Sequence, residues 1–189
     1  YFRNNYEGSL KNLPMITSGV TITRLEVYVT NRTTTTESLR NIAGFADLGE
    51  PRPHNAANPN LQPTNTRLPA DNQANGLYGN LTNGETFRQV DQTNFELTNR
   101  LGLQKSIDFE VLRGAKKLIL DREYKFHPQL GYISLTVPLR NDEVLAVAYE
   151  YTLNGRTYKV GELTEDYQNR KDDEVIALKL LKSSTIPNN

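Results

Sequence analysis

Val144-Leu145-Ala146-Val147-Ala148-Tyr149-Glu150-Tyr151-Thr152-Leu153-Asn154-Gly155-Arg156-Thr157-Tyr158-Lys159-Val160 is the stretch that decides the fold, and it reads as a β-hairpin. Leu145, Val147, Tyr149 and Tyr151 fall on one face of a strand, and Val144, Ala146 and Ala148 fall on the other. Asn154-Gly155 supplies the two positive-φ residues that a type I′ turn demands, and Tyr158 and Val160 begin the return strand. Further on, residues 175–181 are apolar on both faces, as a strand buried in the middle of a sheet would be. Upstream, Tyr124-Lys125-Phe126 and Tyr132-Ile133-Ser134-Leu135 flank His127-Pro128-Gln129-Leu130-Gly131, whose Pro and Gly suit a turn between two strands.

Towards the amino terminus, Val20 and Ile22 share one phase, while Leu25, Val27 and Val29 share the other. The phase flips near Arg24, as a β-bulge would make it. Residues 33–36 form a polar connection, and residues 41–48 read as a second strand. Phe2, Tyr6, Leu10 and Leu13 make a helical stripe stopped by Pro14. Phe87, Val90, Leu97 and Leu101 make another, ended by Gly102. Residues 166–174 are a charged connection. The expectation is a mainly β (α+β) fold: a sandwich-like antiparallel sheet core with one or two packed helices.

One segment breaks the pattern. Five of the nine prolines lie between Pro51 and Pro69, interleaved with Asn55, Asn58, Asn60 and Asn65. So few apolar groups do little to offset the entropy of ordering, so residues 51–83 are expected to be a mobile loop insert. A solvated linker and a segment that orders on contact with a partner both fit that composition. The whole chain, residues 1–189, reads as a single soluble domain that carries this insert. It begins at Tyr1 without Met and ends in the loose run Ser183-Ser184-Thr185-Ile186-Pro187, as a fragment of a longer protein would.

Composition narrows the function. Lys plus Arg and Asp plus Glu number 22 each, so no basic excess is available for nucleic acid or an anionic membrane surface. The absence of cysteine removes disulfides, thiol nucleophiles and Cys-type zinc sites. No apolar run approaches the ~20 residues of a membrane helix. His54 sits in the Pro/Asn segment, and His127 precedes Pro128 in a turn with no readable Ser and carboxylate partners. Asp172-Asp173-Glu174 lacks the spacing of a calcium loop. Asp142, Glu143, Glu162 and Glu165 are numerous enough for paired-carboxylate chemistry, but spacing alone does not pair them. Gly76, Gly79 and Gly84 fit neither a dinucleotide nor a P-loop pattern. The reading is of no catalytic, metal or cofactor site.

Two blocks of the sequence resemble one family. The first is Thr23-Arg24-Leu25-Glu26-Val27-Tyr28-Val29-Thr30-Asn31 with Arg40-Asn41-Ile42 and Phe45-Ala46-Asp47-Leu48-Gly49-Glu50. The second is Phe126-His127-Pro128-Gln129-Leu130-Gly131-Tyr132-Ile133-Ser134-Leu135, then Asp142-Glu143-Val144-Leu145-Ala146-Val147-Ala148-Tyr149, and on through Tyr151-Thr152, Asn154-Gly155 and Tyr158-Lys159-Val160-Gly161-Glu162. Both are similar to the repeated soluble region of the SprA/Sov proteins of Bacteroidetes, named for gliding motility and type IX protein secretion. The resemblance implies a very large outer-membrane β-barrel translocon, with this chain as a non-catalytic, extracytoplasmic segment that is not itself membrane-embedded. Its implied partners are secreted cargo proteins, other translocon subunits and the remainder of the parent barrel. It maps Asn154-Gly155 onto the hairpin, Gly131 onto the turn, and Tyr149 and Tyr151 onto the core. A cell-surface β-sandwich adhesin or carbohydrate-binding module is the alternative; the lack of Trp counts against it.

Overall fold

The computed structural model describes residues 19–33 and 39–184. The stripe Phe2, Tyr6, Leu10 and Leu13, residues 34–36 and the tail from Thr185 lie outside them.

Strand β6 (Leu145–Leu153) is the hub of the sheet. Along one edge it pairs antiparallel with β1 (Val20–Val29), from Val20 opposite Leu153 to Val29 opposite Leu145. Its other edge is divided. Residues Leu145 to Val147 pair with β8 (Val175–Lys182), and Tyr149 to Leu153 pair with β7 (Arg156–Val160). Strand β8 then runs parallel to β2 (Leu39–Phe45), and β2 pairs antiparallel with β3 (Phe109–Lys117). Strand β3 returns to β1 through Tyr28 opposite Lys117 and Val29 opposite Lys116. The ring β1-β3-β2-β8-β6 is therefore closed, with β7 as an extension. Strands β4 (Tyr124–His127) and β5 (Tyr132–Leu135) form a separate two-stranded sheet.

The fold is mainly β with short helices packed alongside. The sandwich-like core takes the form of a five-stranded barrel, and the β2–β8 pair is parallel where an antiparallel sheet was expected. Closure answers backbone groups that an open sheet would leave at its edges. The parallel pair is possible because most of the chain lies between β2 and β8, far more than a crossover requires. The bulge falls where the phase change placed it: the β1–β6 register skips between Ile22 and Arg24, so Thr23 has no opposite number.

Tyr28, Ile42, Ala115, Ala146, Ala148, Ile176 and Leu178 are buried together and come from all five ring strands. A Cβ on Gly44 of β2 would lie 3.4 Å from the Ala146 Cβ of β6, although β8 separates those two strands. These residues therefore face one another across the barrel interior, whose bore is kept narrow by Ala and Gly. Leu163, which caps the short helix Thr164–Tyr167, and Tyr167 on that helix are buried in the same cluster, with the hydroxyls of Tyr167 and Tyr28 2.5 Å apart. The outer face of the barrel carries Val27, Phe45, Val147, Tyr149 and Ala177, in one core with Leu61, Leu77, Leu81, Phe87, Leu97 and Leu101 of the intervening segment.

Within that segment, residues 51–83 make specific contacts with the sheet. Between 51 and 83 the few leucines are nearly all spent on the core: Leu61, Leu77 and Leu81 are buried. The asparagines are fasteners. The side-chain oxygens of Asn58, Asn65, Asp71 and Asn75 each accept the N–H two residues ahead, a series of Asx turns. The amide nitrogen of Asn58 donates to the carbonyl of Leu101 (2.8 Å), and that of Asn75 to the carbonyls of Asp47 and Glu50 (2.8 and 2.9 Å). Asn72 both donates to and accepts from the backbone of Gly161. The Tyr151 hydroxyl, at the hub of the sheet, donates to the carbonyl of Ala70. Side-chain amides thus supply the pairing that a sheet would otherwise give.

The stripe Phe87, Val90, Leu97 and Leu101 does form helix: an α segment Val90–Phe95 widens into a π turn, Glu96–Arg100, before Gly102 at φ 65°. The β6–β7 turn has Asn154 at φ 51° and Gly155 at φ 76°, both positive as a type I′ turn requires. No atom lies within 4 Å of a Cβ built on Gly155, so a substitution there is penalised by backbone conformation alone. Gly155→Val should cost about 1–3 kcal/mol. At about 2–4 °C per kcal/mol for a chain of this size, thermal unfolding followed by circular dichroism should show a fall of several degrees. A wild-type melting temperature would refute the assignment.

Candidate functional site

Glu162 follows Gly161, which at φ 82° lies so close to β6 that a Cβ would come within 3.1 Å of the Ala148 Cβ. This tight exit from β7 brings Glu162 beside β8. Its N–H donates to the Ala177 carbonyl (2.9 Å), and its Oε2 accepts the Ala177 N–H (2.8 Å). From the other side comes Arg88, on the 3₁₀ turn Thr86–Arg88. Arg88 Nη2 meets Glu162 Oε1 at 2.6 Å, and Nη1 meets Oε2 at 3.0 Å and the Val175 carbonyl at 3.1 Å. Tyr78 donates its hydroxyl to Glu162 Oε1 (3.1 Å). The two charged side chains are only 3% and 2% exposed. Burial opposes the charge of Arg88, but the hydrogen bonds and charge of Glu162 outweigh it and raise its pKa. Burial first, and then the Glu162 charge, push the Tyr78 phenol well above its ordinary value.

The network reaches the surface through Glu85, which is 3.4 Å from Arg88 Nε and accepts two bonds from Arg170 (2.7 and 3.1 Å). Beside it opens a cleft of about 410 Å³ bordered by Arg88, Gln89, Asp91, Lys171 and Glu174. The chemistry this arrangement offers is charge pairing. Both Glu162 oxygens are answered by donors, and the neighbouring tyrosine is held in its neutral form.

The carboxylates weighed for paired catalysis are divided among three arginines. Asp142 and Glu143 both pair with Arg32, the latter at 3.0 Å. Glu165 pairs with Arg24, and Glu162 with Arg88. Asp172 is 2.5 Å from Arg40 and almost wholly exposed, while Glu174 lies 3.6 Å from Arg170. Asp173 offers its backbone carbonyl to Asn41. His54 is exposed and its N–H donates to Asp47. The His127 ring stacks on Tyr132 with centroids 5.8 Å apart. Gly79 lies within the helix Leu77–Thr82, and Gly76 precedes it, where a Cβ would come within 3.0 Å of the Asn60 carbonyl oxygen. Among the described residues no three His, Asp or Glu side chains gather as a metal site.

Arg88 and Tyr78 were not marked in the sequence. Arg88 stands 74 residues from Glu162, and no local pattern links them. No protein-family model matches the chain, and no curated protein matches it.

A second charged pair sits on the outer face of the barrel, on the same side of β8 as Val175 and Ala177. The ammonium of Lys179, 5% exposed, meets Glu50 and the Ala46 carbonyl. Burial lowers the pKa of Lys179 and raises that of Glu50, in each case against the pull of the partner.

Two predictions follow from these pairs. Removing one member of a buried pair strands the other, at a cost of roughly 3–5 kcal/mol. Arg88→Met should therefore be severely destabilised in urea, and Arg88→Met/Glu162→Gln should recover part of the loss, because Gln can still accept the Ala177 N–H. A double variant no more stable than Arg88→Met would refute this. For Glu50, a raised folded pKa means stability that is full below the unfolded value and lost as pH rises through the folded one. For Lys179, a lowered folded pKa means stability gained as pH rises from the folded pKa towards 10.5. Both ions therefore cost most near neutrality. Glu50→Gln/Lys179→Met should gain most on wild type near pH 7, and less towards pH 4.5 and pH 10.5; a margin independent of pH would contradict the assignment.

Proposed function

We propose that this chain is a non-catalytic structural and interaction module, an extracytoplasmic segment of an outer-membrane translocon of type IX secretion. The observation that carries the non-catalytic reading is the use made of charge. Arg88 with Glu162, Arg24 with Glu165, Arg32 with Asp142 and Glu143, Arg40 with Asp172, and Lys179 with Glu50 each join elements far apart in sequence. Groups that could perform acid–base chemistry act instead as ties between strands and loops. The two sequence blocks similar to the SprA/Sov proteins support the assignment to the translocon. They cover most of β1, β2, the β4–β5 hairpin, β6 and β7, and so three of the five barrel strands. No helix among the described residues is long and apolar enough to cross a membrane. In this reading the membrane is crossed by strands of the parent protein, and the present module shapes the channel or meets cargo and partner subunits.

A scaffold fails in proportion to its loss of stability; a reactive site fails when one group is removed. In cells carrying the parent translocon, secretion of a type IX cargo should fall in the order of melting temperature across Gly155→Ala, Gly155→Val and Arg88→Met. His127→Gln and Glu165→Gln should secrete as their melting temperatures dictate. His127→Gln or Glu165→Gln melting like wild type yet abolishing secretion would overturn the scaffold reading of that residue.

A further inference from the structure

The chain leaving β5 runs through Thr136, Val137, Pro138, Leu139 and Arg140 towards β6, and between it and the ends of β1 and β3 lies a groove of about 410 Å³. Val29, Leu118, Leu135 and Leu139 line it with apolar surface. Val137, on its lip, is 73% exposed, and Ile119 and Leu120, which follow Leu118, are 47% and 44% exposed. Val137 is the most exposed large apolar side chain among the described residues, and it lies at this groove. The volume is at the small end of the ~300–1,000 Å³ typical of ligand sites, room for a few side chains and not for a folded surface.

The rim is cationic. It carries Arg32, Lys116, Arg122 and Arg140 against Glu123 and Glu143. Lys116 pairs with Glu123, and Arg32 pairs with Glu143 and with Asp142. The guanidinium groups of Arg122 and Arg140 enter no ion pair among the described residues, and both residues are exposed. In a chain of zero net charge whose other arginines are largely tied to carboxylates, this is a local surplus above an apolar floor. A guanidinium binds a carboxylate through two parallel hydrogen bonds, so the surplus selects for acid.

We propose that this groove docks an acidic segment of a partner protein, which sets apolar side chains on Val29, Leu118, Leu135 and Leu139 and carboxylates against Arg122 and Arg140. Nucleic acid fits less well, since two cations outside any ion pair, each already near one carboxylate (Arg122 by Glu123, Arg140 by Asp142), neutralise little phosphate, and the floor is aliphatic. The proposal rests on the interaction-module reading and names the surface and the chemistry of the partner.

The test uses the purified chain and a fluorescein-labelled twelve-residue peptide alternating Val with Glu, against the same peptide with Lys for Glu. Fluorescence anisotropy should show binding of the acidic peptide that weakens with salt, and none of the basic one. Arg122→Ala/Arg140→Ala should weaken binding on the order of tenfold and flatten its salt dependence. Val137→Ser should weaken it severalfold without altering the salt dependence. All three side chains are exposed, so the variants should melt like wild type, and this is checked first. No binding, equal binding of the basic peptide, or binding indifferent to the substitutions would overturn the proposal. So would sedimentation showing a dimer lost in Val137→Ser, because a second copy would then cover the groove. These readouts are independent of secretion: if the secretion series holds while the peptide fails to bind, the groove assignment alone falls.

Discussion

Arg88 and Glu162 can be ionised inside this protein only because their neighbours answer them. Taking both charges out of water costs several kcal/mol per ion, and their attraction recovers this only with near-complete hydrogen bonding. The partners that complete the pair come from three places: Tyr78 from the irregular segment, and the Val175 carbonyl and Ala177 N–H from β8, with Glu162 itself held at the exit from β7. None of these regions can shift without stranding a charge. The pair is therefore a positional constraint more than a source of stability. It fixes β8 against the β7 exit, and it fixes the start of the helical segment against both.

The barrel depends on that constraint because β8 has no hairpin to set its register. Strand β6 is held by β7 through a two-residue turn, and β1 follows β6 along its whole length. Strand β8 meets β2 in parallel and touches β6 over only three residue pairs, one of them at an irregularity. A slip of one residue would exchange Ile176 and Leu178, which fill the bore, with Val175 and Ala177, which face the outer core. Both sets are apolar, so these four positions alone do not forbid the slip, although it would also turn Lys179 away from Glu50 and towards the bore. The reciprocal bonds between Glu162 and Ala177 do, because they name one residue of β8 and reject its neighbours.

What could be read from the sequence follows the range of the interactions involved. The β6–β7 hairpin, the β1 bulge near Arg24 and the burial of β8 on both faces are local patterns, and each was legible. Barrel closure through Tyr28 and Lys117 was not, since two residue pairs leave no periodic trace. Residues 51–83 are held by a different kind of interaction. Their composition counted apolar groups and found too few, but the segment is held by amides. Asn58-Pro59-Asn60 and Asn75-Gly76-Leu77 carry the Asx-turn signal in plain view, an acceptor two residues ahead of an N–H it can reach. Reading asparagine only as a mark of loops discards that information. The Arg88–Glu162 pair lay beyond any such reading, because its meaning appears only when 74 residues of intervening chain are folded.

Charge balance joins these threads. With 22 cations and 22 anions, the chain has the composition of a surface without an electrostatic task. The structure shows that many of those charges lie between elements, where a cation and an anion from distant positions locate one another once. Such pairing gives little stability at exposed sites, where each is worth about 0–1 kcal/mol, but it discriminates against misplaced neighbours, since a shift sets like charges together or leaves a buried one alone. A protein held this way spends most of its arginine on itself. A place where two arginines are left over together above an apolar floor, beside the β4–β5 hairpin, is then a place where something outside the chain has room to act.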